Sequence, residues 1–600
     1  MPSLPLPLSR GKRAAFRAAA IALPVLALLL LEGGLRLAGV GTARRAPFQP
    51  VPSHETSVAL DPDYGRMFFR GFQPGVAFDP FQREKGRQTV RLMVLGGSTT
   101  AGFPYSWYYG FPGRLEDQLA EMLPGRRVEV ANLGMTATNS FTLWALSEPV
   151  IEQRPDAVLI YSGHNEYYGA YGPASTQGWP STSVWARRAV IRASRWAVVT
   201  GVSGLLEPEA VRERRTMMAR VVRDASVEAG GAAYAAGIAQ YEANLRDALG
   251  RFERARIPVF LATLTSNLAG QAPLGDEPEA LAAYDRGRQR LAAGDSAGAR
   301  QAFLSAKEAD GLRFRAPEAL NDIVRRLAGE FSNVTLVDVQ QRFRDASPGG
   351  IEGDSLFTDH LHPNARGYAL MADAFADALR QRLAVLREAP PPSRAPDAID
   401  DLERGMAHLQ LAVLTNGYPF RKDRTPDQAE AMARAEADSM ARSGRPADAL
   451  AVRVVTDGLP VATALHTLVR AARAQPDTLA ALRAYAGLLH WQPFNDPLMA
   501  TALGYALHDA AYDPETAVLA RYASIHSAAP LAVNVLAAVA LRQGDLARAD
   551  ALLTAAERST PDAPEVLFNR ARLLVLQGDT ARARTYFARY QATQGPPRAR

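Results

Sequence analysis

From Thr89 onward the chain alternates short apolar runs with longer amphipathic ones, and this alternation narrows the available folds more than any other feature. Val90–Leu95, Val128–Asn132, Ala157–Tyr161, Val259–Thr263 and Val334–Val339 read as five strands. Phe111–Leu123, stopped by Pro124-Gly125, and Phe141–Gln153, ended before Pro155, read as helices between them. Pro363 stands at the first turn of a last helix running to about Leu386. Strands alternating with helices imply a mainly parallel sheet covered on both faces, an α/β class. In such sheets ligands bind at the carboxyl ends of the strands.

Four polar stretches fall at those ends or just before the last helix: Gly96-Gly97-Ser98, Asn132-Leu133-Gly134, Gly163-His164-Asn165-Glu166 and Asp359-His360-Leu361-His362-Pro363. A serine on a tight strand-to-helix turn exposes its hydroxyl at the sheet edge. That hydroxyl is a weak nucleophile until a base takes its proton. The α/β region contains three histidines, His164, His360 and His362. Asp359 lies three residues before His362, within one turn, so His362 is the expected base and Asp359 its orienting partner. His360 then points elsewhere and is read as structural, and His164 receives no catalytic role. The backbone N–H of Ser98, the N–H of Gly134 and the side-chain amide of Asn165 are the expected oxyanion donors. A zinc site on Asp359, His360 and His362 is the competing reading, but no third neutral ligand suggests itself apart from His164. No metal and no cofactor is expected.

These four blocks resemble the SGNH, or GDSL-type, hydrolase family. Its serine, glycine, asparagine and histidine are matched by Ser98, Gly134, Asn165 and His362, and its aspartate by Asp359. The resemblance covers roughly residues 89 to 386, less the insertions. It implies a flavodoxin-like three-layer sandwich and serine-dependent cleavage or transfer of an ester, often acetyl. The first block departs from the family's usual G-D-S-L, reading G-G-S-T with Gly97 and Thr99. Envelope acyltransferase relatives also depart there.

Six hundred residues exceed one core, and the remaining chain divides accordingly. Residues 1–40 carry Arg10, Lys12, Arg13 and Arg17, then an uncharged run from Ala18 to Leu31. Through Val40 the apolar stretch is 23 residues long, interrupted by Glu32 and Arg36. A basic flank stays on the cytoplasmic side, so this is an uncleaved anchor or a signal sequence with the bulk exported. Residues 41–88 show no period and read as an irregular lead-in. The domain at 89–388 holds two insertions. One, at about 170–230, includes Trp185, Arg187, Arg188, Arg192, Arg195 and Trp196, and reads as a helix packed on the domain with a solvated basic side. A lid and a membrane-surface segment are the other readings.

The second insertion, 278–311, has Gly287, Gly294-Asp295, Ala299, Phe303 and Ala306 at the spacings of a tetratricopeptide hairpin. The same grammar returns near the C-terminus, where Gln543-Gly544-Asp545 recurs as Gln577-Gly578-Asp579 after the 34-residue period of that repeat. Ala549, Ala556, Pro561, Ala583 and Phe587 take the expected positions of the two copies, and Ala464, Leu468, Ala471 and Pro476 make a half-match. Residues 389–396 are a proline-rich linker, and 397–600 read as an all-α, tetratricopeptide-like domain. The net charge of +6 is small, and no basic patch with interleaved aromatics points to nucleic acid. The absence of cysteine excludes disulfides and thiolate chemistry.

The expected protein is a membrane-anchored serine esterase facing out of the cytoplasm, on the periplasmic side. Its substrate would be an O-acyl ester of an envelope carbohydrate, and its repeats would hold a protein partner. An O-acyltransferase using the same residues and a non-catalytic repeat scaffold are the alternatives.

Overall fold

A computed structural model describes residues 10–52, 54–69, 73–123, 126–178, 183–206, 217–389, 399–475, 477–507, 509–526 and 530–594. The Pro124-Gly125 stop, most of the proline-rich linker and Pro476 lie outside the described residues.

Helix α1 (Arg10–Leu37) precedes a three-stranded antiparallel sheet made of β1 (Phe48–Val51), β2 (His54–Leu60) and β3 (Phe81–Gln82). The lead-in is thus not irregular throughout. Strand β2 buries Ser57 to Leu60 without alternation, which hides it from a period-based reading. The main sheet comprises β4 (Thr89–Gly96), β5 (Arg127–Asn132), β6 (Ala157–Tyr161), β7 (Val259–Ala262) and β8 (Val334–Val337). All four pairings are parallel, in the order β5-β4-β6-β7-β8. Counted along the chain this is 2-1-3-4-5, a doubly wound order whose switch point lies between β4 and β6. The strands are buried on both faces and read as continuous apolar runs for that reason.

Helix α2 (Ser98–Ala101) is a single turn after β4. Helices α3 (Phe111–Met122) and α11 (Ala365–Arg382) pack together on one layer. Helices α4 (Ser140–Glu152), α7 (Ala232–Arg254) and α10 (Glu318–Glu330) form another. Between α4 and α7 lie α5 (Val184–Ala193) and α6 (Ala197–Leu206). Helices α8 (Pro278–Ala292) and α9 (Ser296–Ala309) make a tight hairpin, because Gly287 lets the Phe303 ring close on its backbone. Pro363 lies just outside α11, whose cap is Asn364, its side chain accepting from Gly367 N–H.

The described part of 401–593 is mainly helical and gathers around a second hydrophobic core containing Leu402, Leu465, Leu488, Leu503, Val535 and Leu573. The Gly-Asp pairs of the sequence have a direct physical reason. Gly294, Gly544 and Gly578 sit at φ of 82°, 76° and 84°, the left-handed turn that ends one helix. Asp295, Asp545 and Asp579 then cap the next helix by accepting a backbone N–H. This helical region touches the first: Tyr109 O–H donates to Asp400 at 3.0 Å, Trp107 meets Trp491 edge-on, and Arg548 pairs with Glu121 at 3.2 Å.

One buried ion pair stitches the small sheet to the large one. Arg91 on β4, 1% exposed, donates to Glu129 on β5 at 2.8 Å, to Gln82 O on β3 and to Gln153 O. A buried charge left without its partner costs far more than the pair itself contributes. Arg91→Met is expected to lower unfolding stability by about 3–5 kcal/mol. Adding Glu129→Gln should recover part of that loss in denaturant titrations.

Candidate active site

Strand β4 ends at Gly96, where a Cβ would stand 2.2 Å from Tyr161 O, so only glycine fits there. The chain turns through Gly97 and starts α2 at Ser98. Asn132, at the end of β5, braces this turn. Its Nδ2 donates to Thr100 O at 2.8 Å, and its Oδ1 accepts from Gly134 N–H at 2.9 Å. Gly134 is therefore not positioned as an oxyanion donor, since its N–H is already engaged. Glycine is required there because a Cβ would meet Ala101 N at 2.3 Å. The sequence reading took a packing glycine for a donor.

Ser98 Oγ lies 2.7 Å from His362 Nε2, across 264 residues of chain. His362 Nδ1 lies 2.6 Å from Asp359 Oδ2. Asp359 Oδ1 accepts the N–H groups of Leu361 and His362 at 2.9 and 2.8 Å. Burial works to raise this carboxyl, but the facing His362 and His360 rings hold it well below its ordinary value. An ionised Asp359 fixes the proton on His362 Nδ1 and turns the Nε2 lone pair to Ser98. The Thr358 N–H and hydroxyl both donate to His362 O and close the turn.

Asn165 follows β6 and comes to the same mouth, where a Cβ on Gly97 would stand 3.2 Å from its Nδ2. A narrow cleft is lined by Gly97, Ser98, Thr138, Asn165 and Leu361. Glu166 secures the Asn165 loop, a part the sequence reading left unassigned. It accepts from Ser140 N–H and Oγ–H at 3.1 and 2.7 Å and from Gln240 at 2.7 Å. Burial pushes its carboxyl up to about 7. Its signal was an acid directly following Asn165 in an otherwise uncharged strand end.

His360 is buried against Phe314 and Phe420, with its Nδ1 3.3 Å from Asp359 Oδ1. Burial lowers its pKa. Phe420 comes from the helical region and Phe103 lies 4.6 Å from the His362 ring, so aromatic rings flank both histidines. His164 lines the same cleft as the serine. Its Nδ1 accepts Ala316 N–H at 3.2 Å, so Nε2 carries the proton and donates to the Tyr161 hydroxyl at 3.2 Å. Ligand atoms of Asp359, His360 and His362 fall within 4.8 Å of one another. A metal there would have to break the Asp359–His362 bond, and His164 has both nitrogens engaged, so the donor set does not fit zinc.

Residues 94–370 match the profile of the GDSL-like Lipase/Acylhydrolase family. The match supports an ester-hydrolysing enzyme. Among solved structures, the chain is similar to the acetyl xylan esterase AlAXEase, at 14% identity and a TM-score of 0.26, over 48% of this chain and 100% of that one. It is similar to a catalytic mutant of an acetylxylan esterase from Geobacillus stearothermophilus, at 17% identity and 0.27, over 50% and 96%. It is also similar to a lipase/acylhydrolase from Enterococcus faecalis, at 14% identity and 0.27, over 51% and 99%. No curated protein matches the chain.

Burial drives His164 down to about 3 from its ordinary 6.5. The unfolded chain takes that proton near 6.5 and the folded one does not, so this contribution is whole above 6.5 and lost as pH falls. His164→Asn keeps an acceptor for Ala316 N–H. It is expected to remove roughly 3 kcal/mol of the wild type's stability loss between pH 6.5 and 4, read from denaturation at each pH.

Proposed function

We propose that the chain is a serine esterase, anchored in a membrane by α1 with its bulk outside the cytoplasm, that removes O-acyl groups from an envelope carbohydrate. The observation that carries this reading is the 2.7 Å contact between Ser98 Oγ and His362 Nε2, backed by Asp359. Ser98 Oγ attacks the acyl carbonyl carbon as its proton passes to His362 Nε2. The Ser98 N–H and the Asn165 side-chain amide hold the tetrahedral oxyanion. Collapse expels the alcohol, which takes the proton from His362 and leaves an acyl-serine. A water then gives its proton to His362 and attacks the same carbon, releasing the carboxylic acid and restoring Ser98. Asp359 holds the imidazole in the required tautomer and stabilises the imidazolium.

The narrow cleft beside Ser98 favours a short acyl group. For location, the support is the 24-residue segment Ala14–Leu37, with mean hydropathy 2.3 and a basic flank before it, long and apolar enough to cross a bilayer. For the helical region we propose tetratricopeptide-like repeats that hold a protein partner. The 34-residue recurrence of the Gly-Asp turn supports this, as does an apolar groove on the last hairpin lined by Phe568, Val575, Leu576 and Phe587.

Labelling of the full-length protein with a fluorophosphonate probe tests the reading. Wild type is expected to label and to release free acetate from an acetyl ester in water. Ser98→Ala should lose labelling and about 10⁶-fold of activity, and Asp359→Asn about 10⁴-fold with the fold intact. Labelling that survives Ser98→Ala would remove the serine from this role. Acetyl transfer seen only with added glycan would assign the same residues to an acyltransferase.

A further inference from the structure

Several arginines of the insertion holding α5 and α6 are engaged by the domain. Arg187 donates to Gln240 at 2.5 Å, Arg188 donates to Asn244 at 2.8 Å, and Arg195 donates to Ala145 O at 3.0 Å. The Arg192 guanidinium lies 4.9 Å from the Trp144 ring centre. These cations contact the domain, and Arg192 keeps an exposed side. Large apolar side chains also face outward: Trp185 is 74% exposed, Trp196 39%, Val199 40% and Val202 51%. Trp196, Val199 and Val202 are three residues apart and form one stripe along α6. No charged residue occurs in α6.

This stripe sits against the end of α1. The Glu32 carboxylate on α1 accepts Ala197 N–H at 3.0 Å and Val198 N–H at 2.9 Å, the first amides of α6. Arg36 donates to the same carboxylate at 2.6 Å. Thr200 packs on Gly41, just past α1, where a Cβ would meet its Oγ1 at 2.7 Å. Glu32 lies about 7 Å along the helix axis before the end of α1 at Leu37. An unpaired carboxylate at that depth would oppose insertion, but the α6 amides and Arg36 satisfy it. The two features that break the apolar run of α1 are therefore the docking points of a second apolar helix.

We propose that α6 lies in the headgroup layer of the leaflet where α1 ends, with Trp185, Trp196, Val199 and Val202 seated in lipid. The proposal rests on α1 being a membrane anchor. The occupant is lipid rather than protein because the stripe is continuous with the exposed apolar surface of α1, where Leu26, Leu29 and Leu30 are bare. Exposed tryptophans beside an uncharged apolar helix suit the membrane–water boundary. The anchor then holds the catalytic region in one orientation rather than on a free tether.

The absence of cysteine allows single-site labels without background. Full-length protein with Val202→Cys, and separately Val199→Cys, is labelled with an environment-sensitive fluorophore. It is reconstituted in phosphatidylcholine–phosphatidylglycerol vesicles carrying nitroxide lipids. Leu26→Cys reports α1, and Val413→Cys, in the helical region, reports water. The α6 labels are expected to shift to the blue and lose about half or more of their emission to shallow nitroxides, while the Val413 label does not. Quenching at Leu26 without quenching on α6 overturns the proposal and leaves the anchor standing. Quenching at neither site overturns both. Blue-shifted α6 labels that no nitroxide quenches mean that a second copy of the chain covers the stripe, which also overturns it.

Discussion

Five parallel strands end on one edge, and every part of the candidate site depends on that convergence. The order β5-β4-β6-β7-β8 puts the chain reversal between β4 and β6, so the turns after these two strands face one crevice. Ser98 leaves one turn and Asn165 the other. His362 arrives from beyond β8, with its loop tied to the strand ends by Asn267. The Nδ2 of Asn267 donates to Asp359 O at 3.1 Å, and its N–H donates to His360 O at 3.0 Å. The short separation between Ser98 and His362 is thus an outcome of sheet order and of a few side-chain braces, not of local sequence.

Those braces are buried and polar, and each is satisfied several times over. Asn132 ties the serine turn to β5 through both ends of its amide. Glu166 collects three donors from α4 and α7 and so fixes the loop that presents Asn165. Arg187 on α5 reaches Gln240, which in turn donates to Glu166. A continuous line of hydrogen bonds therefore runs from the insertion to Glu166, beside Asn165. Buried networks of this kind are costly if half-made and rigidifying when complete. They suit a site whose donors must be in place before charge develops.

The regions outside the sheet meet the site from two sides. The helical region sends Phe420 onto His360 and seals other contacts through Trp491 and Asp400. The N-terminal helix meets the insertion through Glu32. Phe420 thus places the helical region directly against the residue between Asp359 and Leu361.

The residues alone were enough to establish the strand–helix alternation, the five strands, the catalytic serine, histidine and aspartate as candidates, and the Gly-Asp turns of the helical hairpins. Each of these is local: apolar periodicity, a tight turn, a three-residue spacing or a helix cap is written within a few positions. Tertiary structure decided the rest. Whether Gly134 offers its N–H depends on where the Asn132 side chain lies. Whether the arginines of the insertion face water depends on Trp144, Gln240 and Asn244, which come from α4 and α7. Glu32 breaks an apolar run, and its partner is the N-terminus of α6, 165 residues away, whose amides donate to it. A hydrogen bond is a matter of ångströms in space, and no spacing along the chain records which distant group will fill it.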